Sequence, residues 1–165
     1  MSTAKTPSQS RIQMNRLMGP TDANNLGNVH GGIIMKLVDE AGALAAMRHA
    51  GSPVVTVQID SMSFRKPIFV GSLVTLEAEC TYAGRTSIEV RVIVTAENPI
   101  TGEGATTNHA YLVYVAIDKE GNPTEVPALN AENEAQERRM QQARERQAFR
   151  KQQSKAEKEI EELDE

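Results

Sequence analysis

One aspartate stands inside an apolar run. In the stretch NVHGGIIMKLVDEAG, residues 28–42, two glycines precede a helical pattern and Asp39 interrupts its hydrophobic residues. A buried carboxylate is costly unless it is paired or hydrogen-bonded, so its presence calls for a reason. At 100° per residue, Ile34, Leu37, Val38, Ala41, Leu44, Ala45 and Arg48 share one broad stripe, which is expected to face a sheet. Asp39 falls on a second stripe with Met35, Gly42, Ala43 and Ala46. That face is small and apolar rather than charged, so it is expected to meet another surface at close approach, such as a symmetry mate. At the start of the helix, Gly31 and Gly32 let backbone N–H groups approach a ligand without a side chain in the way. The first turn also carries unpaired N–H groups and a partial positive charge, a ready oxyanion site for a carbonyl. Two readings stand at this point: a catalytic carboxylate beside an oxyanion site, or a structural carboxylate beside glycines that permit tight packing.

These residues need elements to position them. The helix is expected from Ile33 to about His49, ended by Gly51 and Pro53. Residues 10–18 partly alternate and read as a strand, followed by the turn-rich loop MGPTDANNLGN, residues 18–28. Strands are expected at 53–64, 70–82, 86–97 and 105–118. AGRT at 83–86 and NPITGEG at 98–104 give the hairpin turns, and GNP at 121–123 closes the sheet. One helix among antiparallel strands is an α+β domain, placed at residues 8–129. Composition changes at PALNA, residues 127–131. Residues 130–165 form a charged tail rich in helix formers, in which Met140, Phe149, Ile160 and Leu163 are the only large apolar side chains. That is too few for a heptad seam, so the tail reads as a solvated helix, frayed toward its end. Its first half carries Arg138, Arg139, Arg144, Arg146, Arg150 and Lys151, and the alternative is that these lie across a neighbouring subunit.

The bulk properties exclude several classes. A net charge of −4 and only six aromatic residues in 165 disfavour a nucleic-acid partner. No stretch approaches the roughly 20 apolar residues of a membrane span, and the polar first ten residues lack an apolar leader core. With Cys80 alone, no internal disulfide forms, and a cytoplasmic location is expected. His30, His49 and His109 have no metal-ligand spacing with each other or with Cys80, so no metal is expected. The absence of a G-x-S-x-G elbow disfavours a serine hydrolase.

The segment DANNLGNVHGGIIMKLVDEAG, residues 22–42, resembles the hotdog-fold acyl-CoA thioesterases, with the closest likeness to the cytosolic, brain-type acyl-CoA hydrolases and their single-domain bacterial relatives. The likeness extends through SMSFRKP at 61–67, YAGRTSIEV at 82–90 and AYLVYV at 110–115, and covers about residues 11–129. It implies a hotdog fold, a long central helix wrapped by a curved antiparallel sheet. It implies homodimers joined sheet edge to sheet edge, often assembled as trimers of dimers. It implies hydrolysis of acyl-CoA thioesters to free acid and CoA at sites shared between protomers. Asp39 is then the general base or nucleophile, Asn24 comes from the partner, and Gly31 and Gly32 hold the carbonyl oxygen. No cofactor is implied, CoA being part of substrate and product. The CoA-binding candidates are His30 beside the glycines, Arg65 and Lys66 for phosphates, and the turn Gly84, Arg85, Thr86 and Ser87. Plain surface charge is the other reading for Arg65, Lys66 and Arg85. Two rivals stand beside hydrolysis, and a third reading, an interaction module working through the C-terminal helix, is compatible with it. A dehydratase would pair an acid with a histidine, where this loop offers Asn24. A non-catalytic acyl-CoA-binding or regulatory hotdog protein would need only the binding residues.

Overall fold

The structure is a computed structural model that describes residues 3–60 and 62–164, with the side chains of 158 and 160–164 excepted. Ile160 and Leu163 of the tail therefore lie outside the described side chains, and Ser61 lies outside the described residues. The order is α1 (Pro7–Ser10), β1 (Ile12–Leu17), a 3-10 turn (Pro20–Asp22), α2 (Gly31–Ala50), β2 (Val54–Ile59), β3 (Leu73–Ala83), β4 (Ser87–Glu97), β5 (Gly104–Ala116) and α3 (Glu134–Asp164). The five strands form one sheet in the order β1-β3-β4-β5-β2, antiparallel throughout. It wraps α2, the hotdog architecture that the resemblance implies.

Alternation builds the core. Val74, Leu76, Ala78 and Cys80 on β3, Ile88, Val90, Val92 and Val94 on β4, and Ala110, Leu112 and Tyr114 on β5 are buried together with Ile34, Leu37, Val38, Ala41 and Ala45 of α2. The period of two puts one face of each strand on the helix. The helix stops where Gly51 takes φ +72°, the left-handed conformation that favours glycine, and its N–H closes on the Met47 carbonyl at 2.8 Å.

Four expectations are corrected. The helix begins at Gly31, with His30 as its cap, rather than at Ile33. The buried stripe is rotated: Leu44 and Arg48 are exposed, whereas Gly42, Ala46 and His49 are buried. Tyr114 reaches under Gly42 and draws that part of the second face inside the chain. His49 serves no helix dipole at the surface; it is buried with Nε2 2.8 Å from the Pro127 carbonyl. The tail is not simply solvated. Its stripe of Arg139, Ala143, Arg146 and Arg150 lies on the outward face of the sheet, with Ala143 and Arg150 buried. Arg139 meets Glu79 at 3.1 Å, Arg146 meets Glu89 at 2.7 Å and Arg150 meets Asp60 at 2.6 Å, so the basic half docks on its own chain's acids.

The edge strand β2 carries Val55, Val57 and Ile59 at 43%, 54% and 41% exposure. An unpaired edge with β-branched side chains is a template for another strand.

Candidate active site

Asp39 is half-buried on α2 and held by two hydroxyls. Thr56 Oγ1 donates to its Oδ1 at 2.8 Å. The Tyr114 hydroxyl lies 3.2 Å from the same Oδ1 and 3.0 Å from the Asp39 carbonyl oxygen. Burial, with the adjacent Asp39 charge, pushes the Tyr114 phenol well above its ordinary range, so it remains a donor. Val57 is an extra residue on β2: Thr56 pairs with Tyr114 and Gln58 with Val113. Such a bulge re-aims side chains beside it. No hydrogen bond to Oδ2 occurs among the described residues, so that oxygen is available for a water.

Asn24 closes a tight loop. Its Oδ1 accepts from Leu26 N at 2.9 Å and Asn28 N at 3.2 Å, while Gly27 takes φ +82°. The oxygen is thus committed to the loop, and the Nδ2 donor is the part left to offer. Asp22, on the same loop, is buried and paired with Arg16 at 2.7 Å. Beside it opens a cavity of about 280 Å³ whose lining includes Asn24, Gly31, Ile34, Phe64, Arg65 and Lys66.

The two helix-start glycines are not equivalent. Gly32 N donates to His30 Nδ1 at 2.9 Å, so this N–H is occupied and His30 acts as the helix cap. Gly31 N donates to no group among the described residues, and the Phe64 ring lies 3.4 Å from where its Cβ would be. Arg65 and Lys66 are exposed and in no ion pair among the described residues.

Gly84 to Ser87 connect β3 to β4, and Gly84 N donates to the Ser87 carbonyl at 2.8 Å. A Cβ at Gly84 would stand 2.9 Å from Ser87 Oγ, so only glycine fits this turn without displacement. Arg85 is exposed, while its carbonyl accepts from Val126 N at 3.0 Å. The next residue but one after Thr86, Ile88, pairs with Tyr114. The turn therefore sits at the Asp39 end of the sheet.

The structure thus sorts the candidates into two groups. Asn24, Gly31, Arg65 and Lys66 share the cavity, with His30 and Gly32 adjoining. Asp39 and the turn 84–87 share the other end. Arg65 N donates to the Thr107 carbonyl, seven residues before Tyr114 on β5, or roughly 23 Å at the rise of a strand. Asp39 does not line the cavity. Sequence reasoning missed Thr56 and Tyr114, which hold Asp39. A tyrosine at a core-facing position of β5 was the available signal for Tyr114, and Thr56 gave none.

The thioesterase superfamily profile matches residues 26–103. The cytosolic acyl coenzyme A thioester hydrolase of Rattus norvegicus is 32% identical over 142 residues, which make up 84% of this chain and 37% of the rat protein. The chain thus spans just over a third of that relative. A solved acyl-CoA hydrolase from Staphylococcus aureus, in complex with butyryl coenzyme A, coenzyme A and coenzyme A disulfide, is 34% identical with a TM-score of 0.88, covering 98% of this chain and 99% of that one. An apo-hexameric acyl-CoA thioesterase is 38% identical with a TM-score of 0.89, covering 93% and 98%. The chain belongs to the thioesterase superfamily, among its hotdog-fold acyl-CoA thioesterases. The Staphylococcus aureus enzyme has also been solved with an asparagine, an aspartate and a threonine each replaced by alanine. Those three residues are spaced 15 and 17 positions apart, the same intervals that separate Asn24, Asp39 and Thr56.

Proposed function

We infer that this protein hydrolyses acyl-CoA thioesters to the free acid and CoA, at sites each built from two copies of the chain. The observation that carries this reading is the separation of Asp39 from the Asn24–Gly31 cavity on one chain, with an unpaired apolar β2 edge beside Asp39. Pairing β2 of one protomer with β2 of its partner covers that edge and brings the Asp39 end of one sheet to the Asn24 end of the other. A two-fold axis makes two such sites per dimer. The hexameric relative supports assembly of three dimers.

In the proposed reaction, Asp39 Oδ2 takes a proton from a water as the water oxygen attacks the thioester carbon. Thr56 and Tyr114 hold Oδ1 and so fix the carboxylate. Asn24 Nδ2 and Gly31 N–H of the partner receive the carbonyl oxygen as it becomes negative. The tetrahedral intermediate collapses with cleavage of the C–S bond. The CoA thiolate leaves, and the proton held by Asp39 returns to the sulfur. Direct attack by Asp39 on the carbonyl carbon is the alternative order of the same groups. The reaction draws on water and these side chains, with no cofactor. Arg65, Lys66 and the turn 84–87 meet the CoA nucleotide. The buried free thiol of Cys80 and the cytosolic rat relative support a cytoplasmic location.

Thiol release from a panel of acyl-CoAs tests this. Asp39→Asn retains an oxygen for both hydroxyl donors, so fold and assembly persist, while the rate falls by roughly 10² or more, the scale of a lost general base. A fully active Asp39→Asn protein overturns the assignment. A wild-type protein that binds acyl-CoA without releasing thiol indicates a non-catalytic binding protein instead.

A further inference from the structure

Beyond β2 the chain crosses residues 62–67 without regular structure before the bridge of Asn28 to Phe69. This segment carries Phe64 over Gly31 and sends Arg65 and Lys66 to the cavity. Its polar attachments to β5 among the described residues are sparse. Asn108 Nδ2 donates to the Ser63 carbonyl at 2.9 Å, and Arg65 N to the Thr107 carbonyl at 3.1 Å. At its root Asp60 is fixed firmly. Asp60 N donates to the Tyr111 carbonyl at 2.9 Å. Arg150 of α3 grips both carboxylate oxygens, through Nε at 3.1 and 3.2 Å and Nη2 at 2.6 Å.

Arg150 is itself immobilised. It is 7% exposed and also meets Glu89, which is 1% exposed. Arg146 donates to Glu89 at 2.7 and 3.2 Å, and the Thr81 hydroxyl donates to it at 2.7 Å. The Arg146 guanidinium also stacks 3.8 Å above Tyr111, the residue whose carbonyl holds Asp60 N. A planar guanidinium on a carboxylate fixes direction as well as distance, which a lysine does not. The groups that bond Asp60 among the described residues, the Tyr111 carbonyl and the Arg150 guanidinium, are thereby held by the sheet and by α3.

We propose that Arg150 is a positioning residue of the acyl-CoA site, acting through Asp60 to set the segment 62–67 that presents Phe64, Arg65 and Lys66 to the CoA moiety. The proposal rests on the hydrolase reading above. A segment anchored in advance loses little freedom when CoA binds; an unanchored one must be ordered by the ligand, which weakens binding. Neither Arg150 nor Asp60 bonds Asp39, Thr56, Tyr114, Asn24 or Gly31 among the described residues, so the groups that do the chemistry keep their own contacts when the clamp is cut.

The test uses the full chain with butyryl-CoA and palmitoyl-CoA. Arg150→Met and Asp60→Asn each raise KM roughly 5–10-fold with kcat within about twofold, because ordering of the segment is then charged to substrate binding. The double variant adds little to either single one, since both break the same contact. Arg150→Lys regains only part of the loss. Arg139→Met breaks a different tether of α3, to Glu79, and leaves KM unchanged. The proposal is overturned by an unchanged KM in Arg150→Met and Asp60→Asn, by a kcat that falls in proportion, by an equal KM rise in Arg139→Met, or by dissociation of the oligomer. A wild-type chain that releases no thiol refutes the hydrolase reading instead. Calorimetric CoA affinity then decides the clamp: weaker binding by Arg150→Met sustains it, and equal binding eliminates it.

Discussion

Replacing Gly42 by alanine sets two opposed effects against each other. In the interior of a helix the substitution normally gains about 1 kcal/mol of stability. Here the new Cβ stands 2.3 Å from the Tyr114 hydroxyl oxygen, and 3.1 and 3.2 Å from two of its ring carbons. Tyr114 is fully buried between β4 and β2, so its ring has no open direction in which to swing. Overpacking of this kind costs about 1–3 kcal/mol. If the ring yields, its hydroxyl leaves Asp39, and a hydrogen bond to a charged group adds about 1.5–3 kcal/mol. Once the ring yields, the losses outweigh the propensity gain, for a net destabilisation of about 1.5–5 kcal/mol. At about 2–4 °C per kcal/mol for a chain of this size, Tm drops by several degrees. Loss of about 1.4 kcal/mol in the positioning of Asp39 lowers kcat roughly tenfold. Circular dichroism melts and thiol release read the two quantities. Adding Tyr114→Phe removes the oxygen at 2.3 Å and restores stability relative to Gly42→Ala alone, but not activity. A Gly42→Ala protein as stable and as active as wild type would refute the close approach as the reason for glycine here.

Three other outcomes follow from the same geometry. Asp39→Asn and Asn24→Ala chains, each nearly inactive, recover roughly a quarter of wild-type activity when mixed in equal amounts and refolded, because half of the dimers are then mixed and each holds one intact site; flat activity places each site within one chain. Glu89→Gln leaves Arg146 and Arg150 facing each other without their shared carboxylate, and urea denaturation shows a loss of about 3 kcal/mol; a change below about 0.5 kcal/mol, the level of a surface pair, sinks that reading. Burial holds the His49 imidazole below its usual pKa, with Lys5 acting in the same direction against the Pro127 carbonyl, and its Nδ1 has no partner among the described residues. The unfolded chain therefore binds the proton more tightly: stability is full above the unfolded value of about 6.5 and falls as pH drops through it. The urea midpoint declines between pH 7.5 and 5.5 in wild type and less in His49→Gln; equal slopes in both contradict it.

The sheet was readable because its strands alternate and its turns are glycine-rich: the 83–86 and 98–104 connections fall where the structure turns. The short helix Pro7–Ser10 was missed although Thr6, Pro7 and Gln9 spell a capping box with proline in the first turn. Docking of α3 was hidden for a different reason. Glu79 and Glu89 lie on the outward face of their strands, where acids ordinarily meet water. Only the spacing of Arg139, Ala143, Arg146 and Arg150 along one helical face hinted at a partner. Asp39 could be singled out because charge on an apolar helix is anomalous. Thr56 could not, because its aim depends on the extra residue Val57, which periodicity does not reveal. Gly32 illustrates the converse: the glycine pair marked the helix start, yet the preceding histidine claims one of its two N–H groups.

The placement of Asp39 and Asn24 at opposite ends of one sheet constrains how such a protein can diverge. In the dimer inferred above, a chain lends one end to each of two pockets, so any inherited change appears in both at once. The two pockets are locked into the same specificity, and neither can drift toward a new substrate while the other keeps the old one. Fusing two copies in tandem breaks that lock, since each half then mutates alone and one pocket is free to lapse or specialise. The rat hydrolase, of which this chain matches 37%, is long enough for two such units. Wherever both pockets are built from copies of one unit, they stay identical.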